Sequence, residues 1–122
     1  MSIVSGNNIT LVANDIYNIQ SGILIRDIST ASVDVLDTAN NFAPIFMGGL
    51  DPIFNGSSFS FIIYNTSSTN SITITPGTGM TFNPVNPLAN DTIPPNNSRR
   101  YYFIQTSAVL GVSAEFGIYP IT

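Results

Sequence analysis

Hydrophobic and polar residues alternate along most of this chain with the period of two that is typical of β-strands. The clearest case is residues 58–64, where Phe59, Phe61 and Ile63 lie between smaller or polar neighbours. The same pattern predicts further strands at 22–28, 31–36, 71–75, 80–82, 91–93, 99–106 and 113–119. Turn residues separate these segments, so the sequence predicts an all-β fold, an antiparallel jelly-roll β-sandwich. The polar residues 65–70 predict a hairpin between two of the strands.

One segment departs from this pattern. Asp37 is suited to cap a helix, and apolar residues at helical spacing follow it until Pro44 and Gly48 limit the helix. We therefore expect one short helical turn near residues 38–47. Residues 1–20 form an N-terminal arm or an extra strand in this interpretation, and residues 21–122 form the jelly-roll β-sandwich domain.

The residue types that are missing from the chain reduce the number of functions that it could have. The 122 residues include no His, Cys, Lys or Trp, and the basic residues are 3 Arg against 7 acidic residues. His titrates near pH 7, Cys is the strong nucleophile and thiolate ligand, and Lys is the Schiff-base amine. The sequence therefore predicts a binding or structural protein that is not an enzyme and that uses no cofactor and no metal.

The small number of charged residues and their negative balance limit the classes of partner that the chain could bind. Charged residues make up 8% of the chain, against roughly 25% in an ordinary soluble domain. The net charge of −4 leaves no basic surface for nucleic acid, and no segment is apolar over the ~20 residues that a membrane span needs. We expect neither nucleic-acid binding nor membrane insertion, and no signal peptide is visible. So few surface charges favour an oligomer.

The C-terminal half carries a more specific pattern. Its segments are GSSFSF at 56–61, NTS at 65–67, ITITPGTGMTF at 72–82, TIPPNNSR at 92–99 and AEFGIY at 114–119. This pattern resembles the C-terminal jelly-roll heads of structural proteins from giant DNA viruses and their virophages. Those heads are similar to the β-sandwich of tumour necrosis factor and C1q, which trimerises about a three-fold axis. Two features depart from the family: the loop 83–90 is longer, and residues 1–20 have no counterpart.

The resemblance implies a homotrimeric jelly roll on the virion surface, serving as a minor capsid, decoration or spike or fibre-head protein. Its partners would be virion or capsid proteins and a host-surface glycan or other attachment site on the host. The protein would be assembled in the host cytoplasm and located in the virion.

Two groups of residues are candidates for contacts with partners. Tyr101, Tyr102, Phe103 and Tyr119 are candidates for the trimer interface, because aromatic side chains of the inner sheet pack around the axis in trimers of this type. The alternative for each is packing within the chain's own core. The candidate binding loops offer amide and hydroxyl groups and one aromatic ring: Asn65, Ser67, Asn70, Phe82, Asn83, Asn90 and Asn96.

Two other functions are kept as alternatives. One is a carbohydrate-binding, lectin-like module, which would bind sugars through the loops. The other is a hydrolase that depends on a carboxylate pair, for which Asp34 and Asp37 are the candidates. The alternative for these two acids is a structural role, as a solvated charge at a strand edge or as a helix cap. Arg99 and Arg100 are candidates for bridging to acids of a neighbouring subunit, or for a solvated strand end.

Overall fold

Two β-sheets face each other, and short helical segments gather where strands of the second sheet end. The computed structural model describes residues 2–19 and 22–121. The strands are β1 Ser2–Ser5, β2 Thr10–Leu11, β3 Ile23–Asp27, β4 Ser32–Leu36, β5 Ser58–Asn65, β6 Ile72–Thr75, β7 Met80–Phe82, β8 Asp91–Ile93, β9 Ser98–Val109 and β10 Ser113–Ile121. The helices are α1 Ala13–Tyr17 and α2 Ala39–Phe42, followed by a π-helical turn Ala43–Met47 and a 3₁₀ turn Pro52–Phe54. Within the described ranges, no helix has the length and apolar character needed to span a bilayer.

The first six strands wind alternately between the two sheets. The larger sheet has the strand order β1-β3-β5-β9-β10-β7, and the smaller one has the order β2-β4-β6-β8. Each successive pair of strands (β1 with β2, β3 with β4, β5 with β6) therefore forms one coil. Neighbouring coils pair in parallel in both sheets.

The all-β sandwich is confirmed, and the helical turn lies where it was predicted, at 39–47. The expectation of antiparallel pairing is wrong for five of the eight strand ladders of the described residues. The predicted hairpin between β5 and β6 is wrong as well, because the loop between them crosses to the opposite sheet. A period of two shows which residues face the interior, and it is the same in parallel and antiparallel strands. The jelly-roll topology is not confirmed.

Residues 2–11 supply one edge strand to each sheet. Ile3 pairs with Ile25 of β3 in the larger sheet, and Leu11 pairs with Leu36 of β4 in the smaller one. The predicted domain boundary between residues 20 and 21 lies outside the described residues.

A stack of phenylalanine rings fills the interior between the sheets and the helical turn. The ring centroids of Phe46 and Phe59 are 4.0 Å apart, and those of Phe59 and Phe103 are 4.7 Å apart. Phe42 lies over Phe103 at 5.5 Å, and Phe61 lies beside it at 5.3 Å. The helical turn thus supplies two of the five rings, and it closes the core at this end of the sandwich.

A buried ion pair joins the two sheets toward the other end. Arg26 of β3 and Asp34 of β4 are both inaccessible to solvent, and Arg26 Nε lies 2.6 Å from Asp34 Oδ2. Arg26 also donates to the carbonyl oxygens of Val4 and Gly6, at 2.6 and 2.7 Å. Ser32 Oγ donates to the other carboxylate oxygen at 2.6 Å. It was not predicted from the sequence that these two charges form a pair. The bonds of Arg26 to Val4 and Gly6 tie the first coil to the second.

Polar side chains also link the turns of the three coils. Asn7 Nδ2 donates to Ser29 Oγ at 3.1 Å, and Asn70 Nδ2 donates to the Ser29 carbonyl at 3.3 Å. One turn from each coil contributes to this ladder, which fixes how the coils stack.

Candidate functional site

The outward side of the larger sheet is an apolar surface built from five strands. Its members, called the outer face below, are Ile3, Ile23, Ile25, Ser60, Ile62, Tyr64, Arg100, Tyr102, Ile104, Tyr119 and Ile121. They align across the ladders, for example Ile3 with Ile25 and Tyr64 in one row. Four large side chains on this face are exposed, Ile3 to 67%, Ile121 to 50%, Tyr64 to 39% and Tyr102 to 38%, and the others are partly exposed.

Arg100 is the one charged residue of this set, and Asp27, which follows Ile23 and Ile25 on the same side of β3, is exposed at the edge of the outer face. The charge of Arg100 lies along the surface. Its Nη1 donates to Ser60 Oγ at 3.1 Å, and its guanidinium carbon is 6.0 Å from the centre of the Tyr102 ring. A guanidinium held over an aromatic ring gains a cation–π contact and stays close to the apolar surface. The charge therefore does not keep another apolar surface away.

The structure separates the four candidates for the trimer interface into two pairs. Tyr101 and Phe103 face the interior and are inaccessible within a single chain, so they leave no surface for another subunit. That part of the expectation is corrected in favour of its alternative, packing in the chain's own core. Tyr102 and Tyr119 are direct cross-strand neighbours on the outer face.

Tyr101 keeps one polar contact at the edge of the core. Its hydroxyl donates to Asp91 Oδ2 at 2.7 Å, and Arg99 Nε lies 3.4 Å from the same oxygen. Arg99, a candidate for bridging between subunits, thus pairs with an acid of its own chain, and it donates to the Thr92 carbonyl. Burial, with the hydrogen bond and the negative charge of Asp91, raises the pKa of Tyr101 well above its usual range.

This raised pKa predicts a loss of stability in alkali. The contribution of Tyr101 is fully present below pH 10, where the unfolded tyrosine starts to ionise, and it is lost as the pH rises toward the folded pKa. We expect the free energy of unfolding to fall above pH 10 by about 1.4 kcal/mol per pH unit from this group. Tyr101→Phe should remove that slope in urea titrations, whereas Tyr17→Phe, which changes an exposed phenol, should keep it. An equal slope in both variants contradicts the assignment.

Four of the candidate loop residues come together at one end of the sandwich. Asn65 is buried, and its Nδ2 donates to the carbonyls of Asn70, Ile93 and Pro94. Ser67 accepts the N–H of Asn96 on its carbonyl and the N–H of Asn70 on its Oγ. The polar groups of Asn65 and Ser67 therefore hold the two loops in shape instead of facing a ligand.

The remaining three candidates belong to the connection from β7 to β8. Phe82 is inaccessible to solvent, so it offers no ring to a sugar, contrary to the expectation. Asn83 adopts a left-handed backbone (φ 47°) and donates its N–H to the Ile118 carbonyl. Asn90 is exposed. The structure does not join these residues to the loop cluster at Asn65.

The candidate carboxylates have structural partners. Asp34 is enclosed with Arg26, as described above. Asp37 accepts from the N–H groups of Ala13 and Thr38 and from Asn41 Nδ2, which secures the starts of both helices. Partial burial raises the pKa of Asp37, but these three hydrogen bonds outweigh it and leave the pKa below its usual value. In the part of the chain that the structure describes, no three acidic side chains gather to hold a metal ion.

A cavity of about 330 Å³ lies between the start of α2, the 76–79 turn and β10. Thr38, Asn40, Thr78, Ser113 and Glu115 line it together with two small residues. Both polar side-chain atoms of Asn40 are hydrogen-bonded to the backbone: Nδ2 donates to the Val112 carbonyl, and Oδ1 accepts from the Ala114 N–H. The lining has no aromatic ring to stack on a sugar.

Comparisons of the chain with protein-family models, with curated proteins and with solved structures find no match.

Proposed function

We propose that this chain is a non-enzymatic structural protein that assembles with copies of itself through the outer face. The observation that carries the proposal is the in-register array of exposed and partly exposed isoleucine and tyrosine side chains on that face. Contiguous exposed apolar surface is uncommon on monomers and marks interaction sites. Tyrosine, isoleucine and a stacked arginine are also residue types that suit the centre of a protein interface.

The size of the outer face fits a specific interface. Five strands at about 4.8 Å spacing and a length of about 20 Å give a flat area of roughly 500 Å². Side-chain relief adds to this area, and a standard interface buries about 800 Å² on each partner. The face is therefore large enough to hold two copies together when most of it is covered.

We further propose that the assembly is a homotrimer on a virion surface, as a minor capsid, decoration or spike or fibre-head protein. The three-fold count and the virion setting rest on the sequence resemblance to viral head domains. Five parallel ladders give no support to the jelly-roll topology that belongs to that resemblance, so the association itself rests on the outer face. Attachment to a host glycan is the least supported part, because the loop residues Asn65 and Ser67 use their polar groups within the chain.

The two alternative functions gain nothing from the contacts of their key residues. A carboxylate-dependent hydrolase needs Asp34 within reach of a substrate, and Arg26 encloses it away from solvent. A lectin-like module needs an exposed ring beside the loops, and Phe82 is buried. Tyr64 is exposed, but it belongs to the outer face.

Tyr102→Glu tests the proposed interface. A carboxylate at the centre of the buried face loses its hydration without gaining a partner, so association should weaken by on the order of 100-fold. Light scattering after size exclusion should give a mass that is a multiple of three chains of 13.1 kDa for the natural protein and about three times lower for the variant. Thr92→Glu, on the outward side of the smaller sheet, is the matched control and should stay assembled. A natural chain that is monomeric at micromolar concentration rules the proposal out, as does an intact assembly in Tyr102→Glu.

A further inference from the structure

Three of the four strand edges in this sandwich are blocked. On the larger sheet, β7 has three residues, and Leu88 bridges its last residue, Phe82, with a bond from its N–H. On the smaller sheet, β8 also has three residues, and Arg99 covers the Thr92 carbonyl. The other edge of that sheet, β2, has two residues and runs directly into α1. Short, bridged or capped edges are the devices that prevent a sheet from pairing further.

The fourth edge, β1, carries none of these devices. Among the residues that the structure describes, β1 pairs with β3 alone, and it contains no proline or charge. Gly6, which follows β1 directly, donates its N–H toward β3, to the carbonyl of Asp27 at the end of that strand. Because backbone groups alternate in direction along a strand, the N–H and C=O groups of Ser5 and Ile3 point to the open side.

The interior of the sandwich is also open beside β1. Because β1 and β2 belong to the same coil, both sheets end on the same side of the molecule. A small apolar groove lies between them, lined by Val4, Ile9, Thr10, Leu11, Val12, Asp15, Ile16 and Leu24. Val4 is only half-buried there, although its side chain points into the sandwich. A strand added to β1 would therefore cover apolar side chains as well as backbone groups.

We infer that β1 is a self-pairing edge, and that two copies join antiparallel strands β1 about a two-fold axis. A second copy is the occupant because its other three edges are blocked, which leaves β1 as its available strand. A two-fold axis brings identical residues together, so a charge on this edge would meet its own copy. Residues 2–14 contain no charged side chain, so the strand itself brings no charge to the axis, and Asp15 is the one charged residue that lines the groove beside it.

The alternation of the backbone selects one register. With the axis at Val4, Ile3 of one copy lies opposite Ser5 of the other, and each pair exchanges two N–H···O=C bonds. All four outward groups of each strand are then used. The two Val4 side chains meet as a non-hydrogen-bonded pair, with their Cβ atoms about 5 Å apart. This contact uses the strand edge and does not depend on association through the outer face.

A single cysteine tests the register, because the natural chain has none. In the proposed dimer, two Val4→Cys side chains lie within the Cα separation of about 4.4–6.8 Å that a disulfide requires. Mild oxidation of the full chain should therefore give a disulfide-linked dimer as the main product on a non-reducing gel. Thr92→Cys, on the blocked β8 edge, is the matched control and should stay largely unlinked.

Ser5→Pro, combined with Val4→Cys, completes the test. Proline removes the outward N–H of residue 5 and leaves the bonds to β3, so linkage should fall to the level of the control. Circular dichroism of both variants checks that they are folded. Linkage no faster than in Thr92→Cys overturns the inference, and so does linkage that Ser5→Pro leaves unchanged. Adding Tyr102→Glu to Val4→Cys should not reduce linkage, so a failure of the outer-face interface is distinguished from a failure of this one.

Discussion

Arg26→Met should lower the free energy of unfolding by about 3–5 kcal/mol, the usual cost of removing one partner from a buried ion pair. The variant leaves the Asp34 carboxylate enclosed without its cation. It also leaves the carbonyls of Val4 and Gly6 without the donor that now reaches both. Urea denaturation followed by circular dichroism measures the loss. Arg100→Met, on the outer face, is the matched control and should cost less than about 1 kcal/mol.

A second substitution separates the pair from its individual charges. Arg26→Met combined with Asp34→Leu removes both charges, so the double variant should be more stable than the sum of the two single losses predicts. It should remain below the natural protein, because the two carbonyls still lack their donor. Strictly additive losses would show that the two side chains do not stabilise each other.

Phe103→Ala should lower the free energy of unfolding by about 3–5 kcal/mol, as expected for a large ring removed from a packed core. Its ring touches those of Phe42, Phe59 and Phe61, so no single neighbour can fill the space. Tyr102→Ala, one position along the same strand, should change stability by about 0.5 kcal/mol in the dissociated protein. Urea denaturation of both variants makes the comparison.

The dependence on protein concentration distinguishes the core position from the interface position that the sequence suggested for Phe103. A loss from the core is the same at every concentration. A loss from a subunit interface shrinks as the concentration rises, because mass action restores the assembly. A concentration-dependent loss in Phe103→Ala would therefore contradict the packing described above.

The positions of the strands could be predicted from sequence, and their neighbours could not. Alternation locates β5 at 58–65 almost to the residue, because side chains on a strand point to opposite faces. Which strand lies beside it depends on where the loops lead. The polar loop after Asn65 is compatible with a tight return or with a crossing, and the buried side chain of Asn65 shapes it for the crossing.

The sequence does not show which residues of the aromatic run 101–104 lie on which face. Residues 101–104 are all apolar or aromatic, so no alternation of polar and apolar residues shows which of them face the interior. The phase is set by the neighbouring strands, which place Phe61 opposite Tyr101 and Ser60 opposite Tyr102. Tyr102 could therefore be assigned to the outer face only from the fold.

The buried ion pair could not be predicted from alternation. In β4, Val33 and Val35 alternate with Asp34, so the pattern predicts the valines inward, whereas the structure buries Asp34 and exposes both valines. Asp34 meets the charge of Arg26 inside the sandwich, and a buried charge without such a partner would be costly.

The winding of the first six strands has a consequence for the order in which the chain folds. Each parallel ladder joins residues about 20 to 40 positions apart along the chain, whereas β9 and β10 form a local hairpin. Local pairings close short loops and form first, and distant parallel pairings form slowly. The hairpin would then provide β9 as the template for β5, and β5 in turn the template for β3 and β1. In that order of folding, the N-terminal coils would emerge first during synthesis and be fixed last, so their apolar strands would remain open to chaperones until the C-terminal hairpin has left the ribosome.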